Sequence, residues 1–342
     1  MAAVHLNQSF NQQLSQTCQK QAIVIEEIEG LIRVFKDGRV ERPPTIPNVS
    51  CIESLDADVA SRDVVIDKFT NLWARVYVPR RPGKFLPLLV YFHGGGFCIG
   101  SPAWSCYHEF LTTLASKANC VIISLNYRLA PENRLPAAYN DGQSALNWVR
   151  RVGSEGCSEH RWWLSHCNLS NTYLTGDSAG ANIAYNVASR IGSAGPITPL
   201  ALKGLILIQP FFGAEARTQS ERLTDTQTPG SALTLAASDT YWRLSLPPGA
   251  NRDHPWCNPL SSGTSALCSL SVLSVMVFVS ELDILKDRNL HFCMALAQTG
   301  RKSVETVVCK GVGHAFQILH KSTLARTRTL ELMSYIKVFI DH

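Results

Sequence analysis

What the sequence lacks narrows its class first. No apolar run approaches the roughly 20 residues needed to cross a bilayer, and the longest candidates, such as Leu202 to Pro210, have the length of a buried strand. Met1 to Gln21 is polar and rich in Gln and Asn, without the apolar core of a secretory signal, so 1–25 reads as a flexible tail. The 11 cysteines are odd in number, with no C-x-x-C pair and no Cys/His spacing of a zinc site. They suit thiols in a reducing compartment, which makes the cytoplasm the expected location, with the nucleus a second option. The Asn-x-Ser sequons at Asn7, Asn48 and Asn168 carry no meaning without secretion. An excess of one charge is also missing: 32 basic residues face 27 acidic ones, scattered along the chain, for a net charge of +5. A nucleic-acid binder would cluster its Lys and Arg, so that class is set aside, and no metal site is expected.

What is present is an ordinary globular composition, 45% hydrophobic and 17% charged, in a chain of 342 residues. Two alternating runs from Gly30 to Arg42 meet at Asp37-Gly38 and predict a β-hairpin. After the Pro-rich connection Pro43 to Pro47, strand patterns at Arg62 to Asp67 and Leu72 to Val78 predict an antiparallel sheet edge. Apolar runs then alternate with amphipathic ones. Strands are expected at 88–92, 120–126, 173–175, 204–209, 274–279 and 304–308. Helices are expected at about 104–117, 137–151, after Ser178, 286–298 and 321–340. Such strands, apolar throughout, belong to a mostly parallel, doubly wound sheet with helices on both faces, an α/β fold. Between Phe211 and Ser271 the rhythm breaks, with one helical piece at about 233–244. So long an excursion reads as a lid over a substrate site.

The chain is organised around Gly176-Asp177-Ser178-Ala179-Gly180, where a strand pattern meets a helical one. The spacing G-x-S-x-G is that of a nucleophile elbow, whose sharp turn holds the serine hydroxyl out and leaves no room for neighbouring side chains. The helix that follows points free N–H groups and its positive dipole end at the site. A serine needs a base, usually histidine, held by a carboxylate, and in α/β-hydrolases both come later in the chain on loops after strands. Of the histidines beyond Ser178, His254 falls in the lid, His291 in a helical pattern and His320 near the last helix. His314, in Gly311-Val312-Gly313-His314-Ala315-Phe316, is the expected base. For the acid, Asp283 is preferred to Glu281 because apolar residues flank it, and Asp287 reads as a first-turn helix residue. Asp177 reads as a turn or capping carboxylate. His93-Gly94-Gly95-Gly96-Phe97 supplies the oxyanion donors, from the N–H groups of Gly94, Gly95 and Gly96 together with Ala179. The same glycines lack the Lys-Ser/Thr ending of a phosphate loop and the spacing of a dinucleotide fingerprint.

These stretches, with Asn126-Tyr127-Arg128-Leu129-Ala130-Pro131-Glu132 and Leu135-Pro136-Ala137-Ala138-Tyr139-Asn140-Asp141, resemble the hormone-sensitive-lipase-like branch of the α/β-hydrolases. Phe35 to Arg42 and Arg62 to Asp67 are similar to the plant carboxylesterases within that branch, and the resemblance runs from about Glu26 to the C-terminus. It implies one α/β-hydrolase domain over 26–342, a cap built from about 26–60 and the 211–271 insertion, and carboxylic-ester hydrolysis without a cofactor. Ser178 would be nucleophile, Asp283 the acid and His314 the base. Ala181, where many relatives have glycine, departs from the pattern and adds one methyl near the elbow. The expected partner is a small ester, with no nucleic acid and no membrane, and a homodimer is left open. Phe97, Phe211, Tyr241 and Trp242, with Trp104 and Phe212, would suit a hydrophobic substrate. The same branch holds hormone receptors that lack the histidine, and dehydratases or cyclases, which are the rival readings.

Overall fold

In a computed structural model, the described residues are 23–51, 58–80, 85–156, 158–194, 198–227, 232–268, 270, 272, 274–300 and 302–341. Most of the expected tail therefore lies outside the described residues. The chain divides into two compact units, Met1–Thr45 and Ile46–His342. The first part of the expected cap thus falls in one unit and 46–60 in the other, with 52–57 outside the described residues.

The first unit is a small antiparallel sheet of β1 (Val24–Ile28), β2 (Ile32–Phe35) and β3 (Val40–Glu41). The turn expected at Asp37-Gly38 joins β2 to β3: Gly38, at φ 88°, donates its N–H to Phe35 O, and Phe35 N–H donates to Arg39 O. β1 was hidden from the sequence reading, which ended the tail at residue 25, because Val24-Ile25-Glu26-Glu27-Ile28 has no clean alternation.

The second unit is an eight-stranded sheet. Its strands are β4 (Val59–Asp67), β5 (Leu72–Pro79), β6 (Leu86–Phe92), β7 (Val121–Asn126), β8 (Cys167–Asp177), β9 (Leu202–Ile208), β10 (Ser274–Ser280) and β11 (Ser303–Cys309). They lie in the order β11-β10-β9-β8-β6-β7-β5-β4. From β7 to β11 every pairing is parallel, whereas β5 runs antiparallel to both β7 and β4, the expected sheet edge. β8 starts earlier than expected because its polar beginning, Asn168 to Asn171, carries no strand pattern.

Helices cover both faces. They are α1 (Ser105–Ala118), α2 (Ala137–Glu155), the short α3 (Arg161–Leu164), α4 (Ala179–Ala194), α5 (Gln219–Gln227), α6 (Leu235–Ser245), α7 (Ser265–Cys268), α8 (Lys286–Gln298), α9 (Phe316–Leu319) and α10 (Thr323–Asp341). Successive strand residues point to opposite faces. Leu89, Tyr91, Ile206 and Phe278 pack with Leu111 and Leu114 of α1 and Ile336 and Phe339 of α10. On the other face Phe92 meets α2 and α4 at Gly142 and Val187, and Tyr185 of α4 meets Phe292 of α8. Burial of each such side chain contributes about 1.5–3 kcal/mol, which is what fixes the strand register. Local signals end the helices: Gly156, at φ 63°, closes α2 with its N–H on Val152 O, and Thr234 Oγ1 caps α6 by accepting from Ala237 N–H.

The insertion between β9 and β10 carries α5, α6 and α7. α5, Gln-Ser-Glu-Arg-Leu-Thr-Asp-Thr-Gln, was not expected because it has no apolar period. Polar contacts with α8 hold it instead: Ser220 N–H donates to Asp287, Asp287 N–H to Ser220 Oγ, and Arg288 pairs with Glu221 at 2.9 Å. Arg217 and Arg252 both pair with Asp239 on α6, and Arg252 pairs with Glu215 as well.

Candidate active site

Ser178 sits in the turn from β8 to α4 with φ 53°, in the left-handed region that a serine enters only when its surroundings compel it. Three backbone bonds do so: Ser178 N–H donates to Ile208 O, and Ser178 O accepts from Phe211 N–H and Asn182 N–H. The flanking glycines are steric requirements. A Cβ on Gly180 would lie 1.9 Å from Phe92 O, and one on Gly176 would lie 2.5 Å from Gly180 C. Ala181 is fully buried, so its extra methyl is accommodated in packing.

The structure brings Ser178, His314 and Asp283 together. Ser178 Oγ is 2.9 Å from His314 Nε2, and His314 Nδ1 is 2.7 Å from Asp283 Oδ2. Nδ1 faces a carboxylate, so it carries the proton and leaves Nε2 to accept from the serine hydroxyl. All three side chains are buried. Asp283 Oδ1 accepts the N–H of Leu285, which fixes the carboxylate's plane. Glu281, the second candidate for the acid, is exposed and instead accepts the N–H of Gly311, bracing the loop that leads to His314. His291 and His320 are exposed, and His254 is engaged with Trp256 N–H through Nδ1.

The glycine loop divides in its roles. Gly94 N–H donates to Tyr107 Oη and to Asp177 Oδ1, so it is committed inside the fold and leaves the expected donor set. Gly95 N–H, Gly96 N–H and Ala179 N–H at the start of α4 have no acceptor among the described residues. The loop's carbonyls are held in turn: Gly94 O accepts from His93 Nδ1–H, Gly95 O from Cys98 and Ile99, and Gly96 O from Ser245 Oγ. Tyr241 of α6 lies against Gly96 so closely that a Cβ there, at φ 58°, would fall 2.2 Å from its ring.

Asp177 departs from the turn or cap expected of it. It is buried, accepts from Tyr91 Oη at 2.7 Å and Tyr107 Oη at 3.0 Å, and with Gly94 N–H ties the elbow to the glycine loop. Burial raises its pKa, against the lowering effect of these donors and of nearby His314. His93 is buried too, stacked on Tyr127 at 4.2 Å, and burial pushes its pKa down to about 4. It is therefore neutral, with the Nδ1–H tautomer set by Gly94 O. Tyr127 Oη donates to His93 O, and Arg128 clamps the Asp141 carboxylate through Nε, Nη2 and its backbone N–H.

The four aromatic residues expected to contact substrate form one cluster beside Ser178, whose carbonyl accepts the N–H of Phe211. Phe211 stacks on Trp242 at 4.5 Å, and Phe97 lies 5.4 Å from Trp242, while Tyr241 meets Phe211 edge-on. All four are buried against one another. Phe212 turns away to Tyr185 and Phe292, and Trp104 stacks on Tyr107. Gln209, buried behind His314, was missed by sequence reasoning, since a lone Gln at a strand end carries no signal.

Among the described residues, no group of His, Cys, Asp and Glu is arranged to hold a metal, and no helix is long and apolar enough to cross a membrane. All nine described cysteines are free thiols.

A strand-turn-helix serine within a mostly parallel sheet defines a hydrolase scaffold, and residues 89–318 match the family described as alpha/beta hydrolase fold. The probable carboxylesterase 6 of Arabidopsis thaliana is 47% identical over 323 residues, covering 93% of this chain and 92% of its own. A 2-hydroxyisoflavanone dehydratase of Glycyrrhiza echinata is 35% identical over 312 residues, covering 87% of this chain and 91% of its own. Among solved structures, a hyperthermophilic esterase of the archaeon Pyrobaculum calidifontis has a TM-score of 0.68 and 26% identity, covering 82% of this chain and 83% of its own. The chain belongs to the α/β-hydrolase family, in its hormone-sensitive-lipase-like branch of plant carboxylesterases.

Proposed function

We propose that this protein is a serine carboxylesterase that hydrolyses small esters through an acyl-enzyme. The observation that carries the reading is the chain Asp283–His314–Ser178, with contacts of 2.7 and 2.9 Å in a buried site. The esterase names of the relatives from Arabidopsis and Pyrobaculum support it. Ser178 Oγ attacks the ester carbonyl as its proton passes to His314 Nε2, and Asp283 stabilises the imidazolium through Nδ1–H. The oxyanion takes hydrogen bonds from Ala179 N–H and from Gly95 and Gly96, with the positive end of α4 behind it. The imidazolium then gives its proton to the leaving alcohol. Water, activated by the same histidine, releases the acid.

The cluster of Phe97, Phe211, Tyr241 and Trp242 bounds the site with apolar surface, which favours hydrophobic metabolite or hormone esters over polar ones. α6, carrying Tyr241 and Trp242, acts as the lid element. The cytoplasm is the proposed location.

A second reading, elimination on the same scaffold, is favoured by the dehydratase relative. His314 would there take a proton from carbon as the C–O bond on the adjacent carbon breaks and its hydroxyl leaves with a proton as water, and no acyl-enzyme would form. A receptor role is disfavoured by the histidine and its intact contacts. The test is hydrolysis of short-chain p-nitrophenyl esters by the protein and by Ser178→Ala and His314→Ala. Each variant should lose about a thousandfold or more in kcat. An unchanged rate in Ser178→Ala would remove the acyl-enzyme and leave elimination as the reading to pursue.

A further inference from the structure

The end of β9 touches all three loops that carry the reactive groups. Ile208 O holds Ser178 N–H at 2.8 Å, Pro210 O accepts from Asn289 Nδ2 of α8 at 2.7 Å, and Phe211 N–H donates to Ser178 O at 3.0 Å. Between them stands Gln209, fully buried, with φ 48° and its backbone N–H on Phe278 O of β10. Its side-chain amide spans the two remaining loops. Oε1 accepts the N–H of Ala315 at 2.7 Å, and Nε2 donates to Ser280 Oγ at 2.6 Å, with a longer contact to Gln317 Oε1 at 3.5 Å. Ala315 directly follows His314 and is itself at φ 54°. Ser280 ends β10, and its carbonyl accepts the N–H of Asp283.

We propose that Gln209 is a positioning residue that sets the spacing between the loop of the base and the loop of the acid. The inference rests on the catalytic reading of Ser178, His314 and Asp283. Its physical basis is that a buried amide has one acceptor and one donor end, and here the two ends go to the two loops. The left-handed Ala315 has no other described acceptor for its N–H, so the amide holds the strained turn that aims the imidazole. Without Oε1, that N–H is orphaned in the interior, and the turn relaxes toward a conformation in which His314 no longer bridges Ser178 and Asp283.

The test uses Gln209→Met, which keeps length and removes both polar ends, and Ser280→Ala, which removes one partner with little change in volume. Far-UV circular dichroism and thermal unfolding report folding of each. In Gln209→Met, kcat for a p-nitrophenyl ester should fall by about 10- to 100-fold, the order that misplacement of a reacting group causes, while KM stays close to the parent's. Here kcat is counted per reactive site, titrated by prolonged reaction with a serine-directed organophosphonate. A merely structural defect would lower the titrated fraction and leave kcat per site in place, whereas a misplaced imidazole lowers kcat per site. Ser280→Ala should lower kcat per site in the same direction by less, and decides the matter alone if Gln209→Met does not fold.

Folded variants with the parent's kcat per titrated site overturn the inference. Ser178→Ala is the control for the reading beneath it. If Ser178→Ala keeps the parent's rate, the catalytic reading falls, and the role of Gln209 with it. If Ser178→Ala is dead while Gln209→Met and Ser280→Ala match the parent, the role of Gln209 alone is wrong.

Discussion

Replacing His93 by Phe should change how the stability of this protein depends on pH more than it changes the fold. The imidazole is fully buried against Tyr127, with Nε2 unpartnered among the described residues, and burial lowers its pKa to about 4. In the unfolded chain the same ring titrates near 6.5. Between these values the unfolded state binds the proton and the folded state does not, so stability falls as pH falls, at about 1.4 kcal/mol per unit. The loss begins near pH 6.5, levels off below about 4, and totals about 3 kcal/mol. His93→Phe keeps a ring on Tyr127 and has nothing to titrate. Urea unfolding of both proteins at a series of pH values between about 4 and 8 isolates the effect. The depressed His108 and His254 are common to both and cancel in the difference. The parent's advantage over His93→Phe should shrink by about 3 kcal/mol on acidification. Parallel stability curves would refute the argument, because they would mean that His93 is protonated in the folded protein or exchanges with solvent.

Further expectations follow from the same geometry. Gly96→Ala should destabilise by about 1–2 kcal/mol for the left-handed backbone plus the clash with the Tyr241 ring, and urea unfolding should show that adding Tyr241→Ala relieves only the second part. Asp177→Asn places an amide among three donors, so it should cost about 1–3 kcal/mol and lower kcat/KM for p-nitrophenyl esters as Gly94 loses its anchor. Arg75 is buried and paired with the half-exposed Asp63, so Asp63→Ala should destabilise by about 3 kcal/mol in thermal or urea unfolding, while Asp63→Ala with Arg75→Met should recover most of it.

Elements with local signals are legible in the sequence. Strand and helix patterns located the parallel strands and α8, because a sheet covered on both faces writes apolar runs into the chain. The glycines around Ser178 were legible for a steric reason that the 1.9 Å approach to Phe92 O makes explicit. Asp283 ranks above Glu281 by its apolar neighbours, and its side chain is buried whereas Glu281 is exposed. The partners of Asp177 were out of reach. Tyr91 and Tyr107 lie 86 and 70 positions away, and nothing local says that a carboxylate beside a nucleophile will point opposite to it. The same limit hid the commitment of Gly94 N–H and the bridge made by Gln209, whose partners lie 106 and 71 positions away. α5 was invisible because one ion pair and polar hydrogen bonds with α8 hold it, and such contacts leave no period in a sequence.

The insertion leaves the sheet after β9 and returns in β10, its immediate parallel neighbour, with Gly204 opposite Ser274. Both ends of the excursion are therefore pinned by the same strand pairing, whatever lies between them. Lengthening such a closed loop costs little, since the entropy of closure grows only with the logarithm of its length. On the proposed reading, in which this segment covers the substrate, its middle can drift in size and sequence over evolutionary time while Phe211, whose N–H holds Ser178 O, and Ser245, whose hydroxyl holds Gly96 O, stay in place. On that reading a lineage would acquire new esters by rewriting the middle of this one segment, with the few residues tied to the serine turn and the glycine loop kept.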